Sequence, residues 1–253
     1  MKFSVITVSY NSAATITDTL VSVGSQKHAE LEHIVIDGGS SDATLAIVKA
    51  HGKRVSYAIS EPDRGIYDAM NKGICVATGD VVGFLNSDDF YPNADVLSKV
   101  ADAFADPAIQ ACWGDLCYVR QDNPKKIARY WKSSVFTPNA FARSWCPPHP
   151  TFFVRRNLLD HKGAFDLRYK IAADMELMAR LIEVQGISCH YIPSVLVHMR
   201  LGGTTNRNLK NIFAQNMEIW AALHQHHLAP SMFQFFFNKF VSRLRQFLTR
   251  PAT

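Results

Sequence analysis

The sequence has no long apolar run and no regular cysteine spacing. None of its 253 residues fall in a stretch that approaches the ~20 consecutive apolar residues needed to cross a bilayer. The apolar run at the N-terminus is too short for a signal peptide and has no cleavage pattern. The five cysteines are odd in number and include no Cys-x-x-Cys pair. We therefore expect reduced thiols in a cytoplasmic protein.

Two common phosphate-binding motifs are also missing. Tyr10-Asn11-Ser12-Ala13 stands where a dinucleotide-binding fold would have Gly-x-Gly-x-x-Gly, and the chain has no Walker motif. The net charge of +5 is modest, and the basic residues after His226 have no acidic counterparts. A nucleic-acid-binding protein should have a broad basic face, so the charge argues against nucleic acid as a partner.

Apolar, β-branched runs alternate with helical periodicity over the first part of the chain. Strands are predicted at residues 3–9, 33–37, 55–60 and 81–85, with helices between them. This alternation is typical of right-handed β-α-β units and a parallel sheet. Later residues are less regular, with further strands and a helix predicted at 174–184. From residue 206 onward the chain is predicted to be helical.

An acidic segment, Asn86-Ser87-Asp88-Asp89, follows the fourth predicted strand. Open α/β sheets bind ligands beyond the carboxyl ends of their strands. Two adjacent carboxylates repel each other unless a cation holds them, and such oxygen ligands suit Mg²⁺ or Mn²⁺ shared with substrate phosphates. The alternative is that Asp88 and Asp89 cap the next helix or begin a turn.

Polar residues also follow the second and third predicted strands. Asp37, before two glycines, can accept hydrogen bonds from a ribose or from the N–H edge of a nucleobase, or it can support the turn. Arg64 precedes a predicted helix whose N-terminus favours a diphosphate. Asn71 and Lys72 could reach the same cleft, although Lys72 also fits a solvated helix face.

Four segments in this order, SVITVSYN, VIDGGSSDAT, EPDRGIYDAMNKG and GDVVGFLNSDD, resemble family 2 of the inverting nucleotide-sugar glycosyltransferases. The closest likeness is to bacterial members that build exopolysaccharide, colanic-acid-like or lipopolysaccharide chains. The resemblance implies an α/β protein of the GT-A fold, with a Rossmann-like, mostly parallel sheet flanked by helices. It divides the chain into a GT-A domain (1–205) and C-terminal helices (206–253). The domain would have a nucleotide-binding half (1–105) and an acceptor-binding half (106–205).

The resemblance also implies roles for individual residues. Asp37 would contact the base, Asp88 and Asp89 would hold Mg²⁺ or Mn²⁺ on the donor diphosphate, and Asp174 would be the general base. Asn86 stands where the family often has Asp. The donor-binding residues that we predict are Val8, Tyr10, Asp37, Arg64, Asn71, Asn86, Asp88 and Arg200.

Asp174 begins a predicted amphipathic helix. An acceptor hydroxyl is a weak nucleophile, so a carboxylate must take its proton. The alternatives are that Asp174 caps the helix or pairs with Arg180. Ala173 stands where the family usually has Glu.

Several histidines could belong to the site. His149 lies in a rigid, proline-rich loop and is either near the acceptor or structural. His198 or Arg200 could contact the diphosphate before a Gly-Gly-Thr turn, or the turn could simply precede a helix. No Cys or carboxylate near the last three histidines completes a metal site, so we interpret them as packing or solvated residues: His224, His226 and His227.

The C-terminal segment is predicted to be an aromatic and cationic amphipathic helix. Phe235 is an exception to its apolar face, which contains Phe233, Phe236, Phe237, Phe240, Val241, Leu244, Phe247 and Leu248. Such a helix suits the headgroup region of an anionic membrane, or it packs on the core or on a second subunit. Related enzymes often use polyprenyl-diphosphate-linked saccharides, so the resemblance favours peripheral contact with the inner face of the cell membrane.

The predicted function is metal-dependent, inverting transfer of a sugar from a UDP- or GDP-sugar to a saccharide acceptor on a bacterial surface or exported glycan. A nucleotidyltransferase is an alternative, although it should have a Gly-rich basic loop after the first strand. A membrane-associated assembly protein with a degenerate site is a second alternative, favoured by Asn86 and Ala173.

Overall fold

Four parallel strands form the first half of a mixed sheet. In the computed structural model, which describes residues 1–162, 164–202 and 209–248, they are β1 (Phe3–Ser9), β2 (Leu31–Asp37), β3 (Val55–Ser60) and β4 (Val81–Phe84). The intervening helices are α1 (Ile16–Gly24), α2 (Thr44–His51) and α3 (Ile66–Val76). β1 lies between β2 and β4, and β3 pairs with the other side of β2. The carboxyl ends of all four strands therefore lie at one edge of the sheet.

A short antiparallel strand, β7 (Phe153–Arg155), joins the two halves of the sheet. It pairs with β4 on one side and with β5 (Ala111–Val119) on the other. β5 also pairs antiparallel with β6 (Ile127–Trp131) and parallel with β8 (Cys189–Arg200). Because β7 runs opposite to both of its neighbours, β5 and β8 run in the same direction as β4. The mostly parallel sheet that the sequence predicts is thus confirmed.

The remaining helices flank this sheet. They are α4 (Val96–Ala103), α5 (Arg156–Lys162), α6 (Ala173–Ala179), α7 (Leu209–Gln225) and α8 (Met232–Leu248). A π-helical turn, Arg180–Val184, continues α6, so the helix predicted at 174–184 is two segments. No helix in the described part of the chain combines the length and apolar character that a membrane crossing requires. The predicted domain boundary at 205 falls outside the described residues.

Alternate residues of the strands pack on opposite faces of the sheet. In β1, Ile6 and Val8 contact the cluster that includes α3, α6 and α7, whereas Phe3 and Val5 contact the cluster around α4 and β8. All five cysteines, which lie within the described residues, are free thiols.

The orientation of α8 corrects one sequence prediction. Phe235, the exception to the predicted apolar face, is 0% exposed and packs in the core. Phe236, a member of the predicted face, also packs against the core, whereas Phe233 and Phe240 of that face are exposed by 84% and 68%. The buried side of α8 is therefore centred on Phe235 and Phe236, and Phe233, Phe237 and Phe240 are left exposed. Side chains beyond residue 241, including those of Arg243, Arg245 and Arg250, fall outside the described ones.

Candidate active site

Loops after β1, β2 and β4 are joined by hydrogen bonds at the carboxyl edge of the sheet. The Asn11 N–H donates to Ser40 Oγ over 2.7 Å, and the Ser41 N–H donates to Asn11 Oδ1 over 3.0 Å. Asn11 has a φ of 47°, in the left-handed region that Asn tolerates. The hydroxyls of Ser12 and Ser87 lie 2.7 Å apart, which connects the β1 loop to the acidic segment. These contacts hold the strand ends as one rim.

Asp37 is fully buried within this rim, which corrects the prediction that it contacts a nucleobase directly. Its Oδ1 accepts from the hydroxyls of Ser9 and Ser40, and its Oδ2 accepts from the Ser40 N–H and the Ser60 hydroxyl. Burial by itself raises the pKa of Asp37, but these hydrogen bonds outweigh it and keep the pKa below its usual range. The carboxylate is therefore an ionised support for three strand ends, and no oxygen is left for a ligand.

The acidic segment after β4 has one accessible carboxylate. Asp88 is partly exposed, whereas Asp89 is fully buried and accepts the backbone N–H of Arg200 at Oδ1. Burial raises the pKa of both carboxyl groups, and the Asp88 charge raises that of Asp89 further. Asn86 Oδ1 and Asp89 Oδ2 are buried without a hydrogen-bond partner. The prediction that both aspartates face a ligand is thus corrected: in this conformation only Asp88 is within reach.

The sequence predicts that Arg200 contacts the donor diphosphate, and the structure corrects this prediction. Arg200 packs against the acidic segment with its side chain buried. Its guanidinium is 6% exposed, pairs with Asp18 of α1, donates to the backbone carbonyl of Asp88 over 2.7 Å and lies over the Phe90 ring. The neighbouring His198 forms two backbone hydrogen bonds with Phe90. The end of β8 therefore holds the acidic segment in place through these hydrogen bonds. The Gly-Gly-Thr turn that follows β8 lies mainly outside the described residues.

The start of α3 carries a second set of fixed polar side chains. Gly65, with a φ of 118°, allows the chain to enter the helix. Asp68 accepts from both the backbone and the guanidinium of Arg64, which lowers the pKa of Asp68, while most of the Arg64 side chain is exposed. Asn71 does not reach the cleft as predicted, because its amide makes two 2.9 Å hydrogen bonds to the backbone of Phe165. Arg64 remains available to a ligand, and Asn71 does not.

Asp174 lies in the first turn of α6, and its Oδ1 accepts a 3.0 Å hydrogen bond from the hydroxyl of Tyr67. Neither structural alternative for Asp174 holds. The N-cap position is occupied by Ala172, and Arg180 pairs with Glu176. The carboxylate is partly exposed. A segment remote in the sequence thus holds the predicted base at the same rim.

Aromatic rings support Asp174 from below. His149 stacks on Phe84, the last residue of β4, with ring centroids 5.4 Å apart. Phe165 packs against both of these rings and stacks on Tyr67. Burial lowers the pKa of His149, although the Asp174 charge opposes this. The cluster links the end of β4 to the beginning of α3, so it fixes the position of Tyr67 and hence of Asp174.

Other predicted residues divide between the core and the surface. Val8 is buried, whereas Tyr10 is 66% exposed at the end of β1, where it is free to contact a ligand. Lys72 pairs with Glu61, as expected of a solvated helix face. His226 bonds to the buried carboxylate of Glu176 over 2.7 Å, so this histidine has a packing role. No cluster of three or more His, Cys, Asp or Glu side chains suited to a metal occurs in the described residues.

Sequence reasoning missed three residues that shape the site. Tyr67 holds Asp174, Asp18 holds Arg200, and the Glu218 carboxylate accepts the N–H groups of Ile171 and Ala172 at the start of α6. Tyr67 lies within EPDRGIYDAMNKG, one of the segments that carry the family resemblance, so its position in that motif could have indicated a role in the site. Asp18 and Glu218 lie in α1 and α7, outside those four segments, and no motif in the sequence marks either residue as part of the site.

A polar rim at the carboxyl edge of a mostly parallel sheet, completed by an antiparallel insertion, is the architecture of a GT-A glycosyltransferase. The chain belongs to glycosyl transferase family 2, whose model matches residues 4–167, and whose enzymes use nucleotide-sugar donors. This match decides against the nucleotidyltransferase alternative.

Two curated relatives are mycobacterial. The chain is 36% identical over 180 residues to the uncharacterized glycosyltransferase Rv1514c of Mycobacterium tuberculosis H37Rv. This alignment covers 70% of this chain and 67% of the relative. It is 29% identical over 220 residues to the PGL/p-HBAD biosynthesis glycosyltransferase Rv2957 of the same strain. This alignment covers 85% of this chain and 83% of the relative. Neither relative is named as an exopolysaccharide enzyme.

Solved structures share the fold at low sequence identity. S. aureus TarS 1–349 in complex with UDP-GlcNAc superposes with a TM-score of 0.68 and 21% identity, over 88% of this chain and 66% of that one. The chain spans only 43% of the longer TarS chain. Glucosyl-3-phosphoglycerate synthase from Mycobacterium tuberculosis, in complex with Mn²⁺ and UDP, gives a TM-score of 0.65 and 20% identity. The match covers 91% of this chain and 81% of that one.

Proposed function

We propose that this enzyme transfers one hexose from a UDP- or GDP-sugar to a saccharide acceptor, with inversion at the anomeric carbon. The observation that carries the proposal is the hydrogen bond from Tyr67 to Asp174, which holds a partly exposed carboxylate at the rim that also contains Asp88. A base and a donor-binding segment at one rim are what a glycosyl transfer requires.

Asp174 acts as the general base in this proposal. Its carboxylate takes the proton from the acceptor hydroxyl as that oxygen forms a bond to the anomeric carbon. The bond from that carbon to the nucleotide diphosphate breaks on the opposite face, and the departing oxygen keeps the electron pair. One in-line displacement of this kind inverts the anomeric configuration.

Asp88 is the residue proposed to hold Mg²⁺ or Mn²⁺, and the buried oxygens of Asn86 and Asp89 would join it only once the segment opens to admit the ion. The donor set fits such an ion, because Asn86 Oδ1 and Asp89 Oδ2 are buried without partners and burial raises the pKa of both carboxyl groups. When bound, the ion would offset negative charge on the diphosphate. Fold neighbours in complex with UDP and Mn²⁺, or with GDP-Man and Mn²⁺, are in keeping with this.

The proposed acceptor is a saccharide on a growing bacterial surface or exported glycan, linked to a polyprenyl diphosphate. The enzyme would then work in the cytoplasm, peripherally on the inner face of the cell membrane. Phe233, Phe237 and Phe240 support this, because they recur at helical spacing on α8 and are all exposed. The last acidic residue of the chain is Glu218, so the segment that follows is cationic.

The catalytic proposal is tested by transfer and hydrolysis assays on a panel of UDP- and GDP-sugars with Mn²⁺, Mg²⁺ or a chelator, with the product anomer assigned by NMR. Asp174→Asn should lower kcat by about 10²- to 10⁴-fold, the range for a general base. Asp102→Asn, on the exposed surface of α4, is the matched control and should keep full activity. Full transfer by Asp174→Asn, or none by the native enzyme with any donor, would contradict the proposal.

The membrane proposal is tested by co-sedimentation with anionic and zwitterionic vesicles. Replacing Phe233, Phe237 and Phe240 by Ser should release the enzyme from anionic vesicles. Phe213→Ser is the matched control, since Phe213 is similarly exposed on α7. Vesicle binding that is unchanged by the triple substitution, or a dimer that the substitution dissociates, would assign this face to another role.

A further inference from the structure

The carboxylate of Asp63 lies directly over the backbone of Gly38. An ideal Cβ placed on Gly38 would be 2.5 Å from Asp63 Oδ2 and 3.5 Å from Cδ2 of Tyr10. Any side chain at residue 38 would therefore collide with the carboxylate. Tyr10, Gly38 and Asp63 follow β1, β2 and β3, which are neighbouring strands, so their juxtaposition forms part of the same rim.

One oxygen of Asp63 is available to a ligand. Its Oδ1 accepts the Gly65 N–H over 2.8 Å, which forms the turn into α3. Across the described parts of the chain, Asp63 has no ion pair, and its side chain is partly exposed. Asp37, one strand away, accepts four hydrogen bonds from its neighbours and is fully buried. Of these two carboxylates, only Asp63 can accept a hydrogen bond from a bound molecule.

We infer that Asp63 reads the nucleobase of the donor, while the exposed ring of Tyr10 packs against the face of the base. This inference rests on the proposed nucleotide-sugar function. An ionised carboxylate only accepts hydrogen bonds. Uracil has an N–H at N3 and guanine has one at N1, whereas the corresponding atoms of cytosine and adenine carry lone pairs. Asp63 thus selects uridine or guanosine diphosphates over cytidine or adenosine diphosphates.

The test compares the affinities of the enzyme for UDP, GDP, CDP and ADP with Mn²⁺ present, by titration calorimetry. Asp63→Asn keeps an oxygen for the Gly65 N–H but replaces the other oxygen by an NH₂ donor. The preference for the better of UDP and GDP over CDP should fall by ~10-fold or more, as expected for loss of a hydrogen bond to a charged group. Asp106→Asn is the matched control, since Asp106 makes the same type of turn with Ala108 at the opposite edge of the sheet.

A second variant reaches the same carboxylate without replacing it. Gly38→Ala introduces a Cβ into the space of Asp63 Oδ2, so it should displace the carboxylate and weaken the preference in the same way. Thermal unfolding of each variant establishes that it is folded. Native discrimination by folded Asp63→Asn or folded Gly38→Ala would overturn the inference but leave the proposed function intact. Failure of the native enzyme to bind any nucleotide would instead reject the proposed function.

Discussion

The hydroxyl of Tyr67 lies 3.0 Å from Asp174 Oδ1 and 2.8 Å from the backbone carbonyl of Ile171, and its one hydrogen is shared between these two acceptors. Burial, and then the charge of Asp174, raise the pKa of Tyr67 well above its usual range. The phenol therefore stays protonated and remains a donor throughout the physiological range. One side chain of α3 thus holds both the backbone before α6 and the carboxylate in its first turn.

Tyr67→Phe should lower kcat by about 10- to 100-fold, because a base that is no longer held departs from the productive geometry. The KM for the nucleotide-sugar donor should change little, since Tyr67 contacts the proposed general base, Asp174, and not the donor-binding segment. The measurement is steady-state kinetics with the donor varied. Tyr191→Phe is the control, because it removes a partly buried tyrosine hydroxyl that bonds to an aspartate, Asp115, in the middle of β5. Equal kcat values for Tyr67→Phe and the native enzyme would show that the hydrogen bond is only structural.

Asp37→Asn should destabilise the fold and leave the base preference unchanged. The amide would direct an N–H group at the Ser40 N–H, so at least one charged hydrogen bond is lost and a donor is left unpaired. The expected loss in the free energy of unfolding is about 3 kcal/mol. Ser60→Ala, which removes one of the four donors, should cost about 1 kcal/mol. Chemical denaturation measures both. A stable Asp37→Asn variant with altered base selectivity would restore Asp37 as a ligand-binding residue.

Mn²⁺ should raise the melting temperature of the native enzyme, and the increase should shrink on acidification. Protons compete with the ion for Asp88, and the raised pKa of Asp88 moves this competition to higher pH than for an ordinary carboxylate. Differential scanning fluorimetry across the pH range measures the effect. Asp88→Asn should abolish the increase, while Asp122→Asn, at an exposed ion pair with Arg120, should retain it. An undiminished increase in Asp88→Asn would place the ion elsewhere.

His33 should make the fold sensitive to mild acid. Burial lowers its pKa from 6.5 to about 3, and its Nε2 lies 2.9 Å from Thr7 Oγ1. The unfolded chain takes up a proton below pH 6.5 while the folded protein does not, so stability is lost as the pH falls from 6.5 towards 3. By about pH 5 the loss should approach 2 kcal/mol, at 1.36 kcal/mol for each pH unit. His33→Gln should flatten this dependence in urea denaturation, whereas His51→Gln, on an exposed helix end, should not.

The strands were predictable because their signals are local. β1 and β3 have the predicted bounds, and β2 and β4 differ from prediction by two residues or fewer. Each strand is a short apolar run whose side chains can be sorted onto two faces without knowing its neighbours. The acidic segment was predictable for the same reason, since it directly follows such a run.

The roles of polar residues were less predictable. Asp37, Asn71 and Arg200 were all expected to bind the donor, and each is instead bonded to partners that include residues of remote segments. Arg200 and its partner Asp18 are 182 residues apart in the chain. No local pattern encodes such a pairing.

The amino-acid order alone determined that this is an alternating α/β protein with carboxylates at its strand ends, because periodicity and strand termination are properties of neighbouring residues. Only the tertiary structure decided which carboxylates are accessible. Whether an oxygen is free depends on how many donors surround it, and at Asp37 and Asp174 these include donors from other strands and helices, Ser60 and Tyr67. The same reasoning applies to α8, where the position of the core, and not the helical pattern, determined that Phe235 is buried.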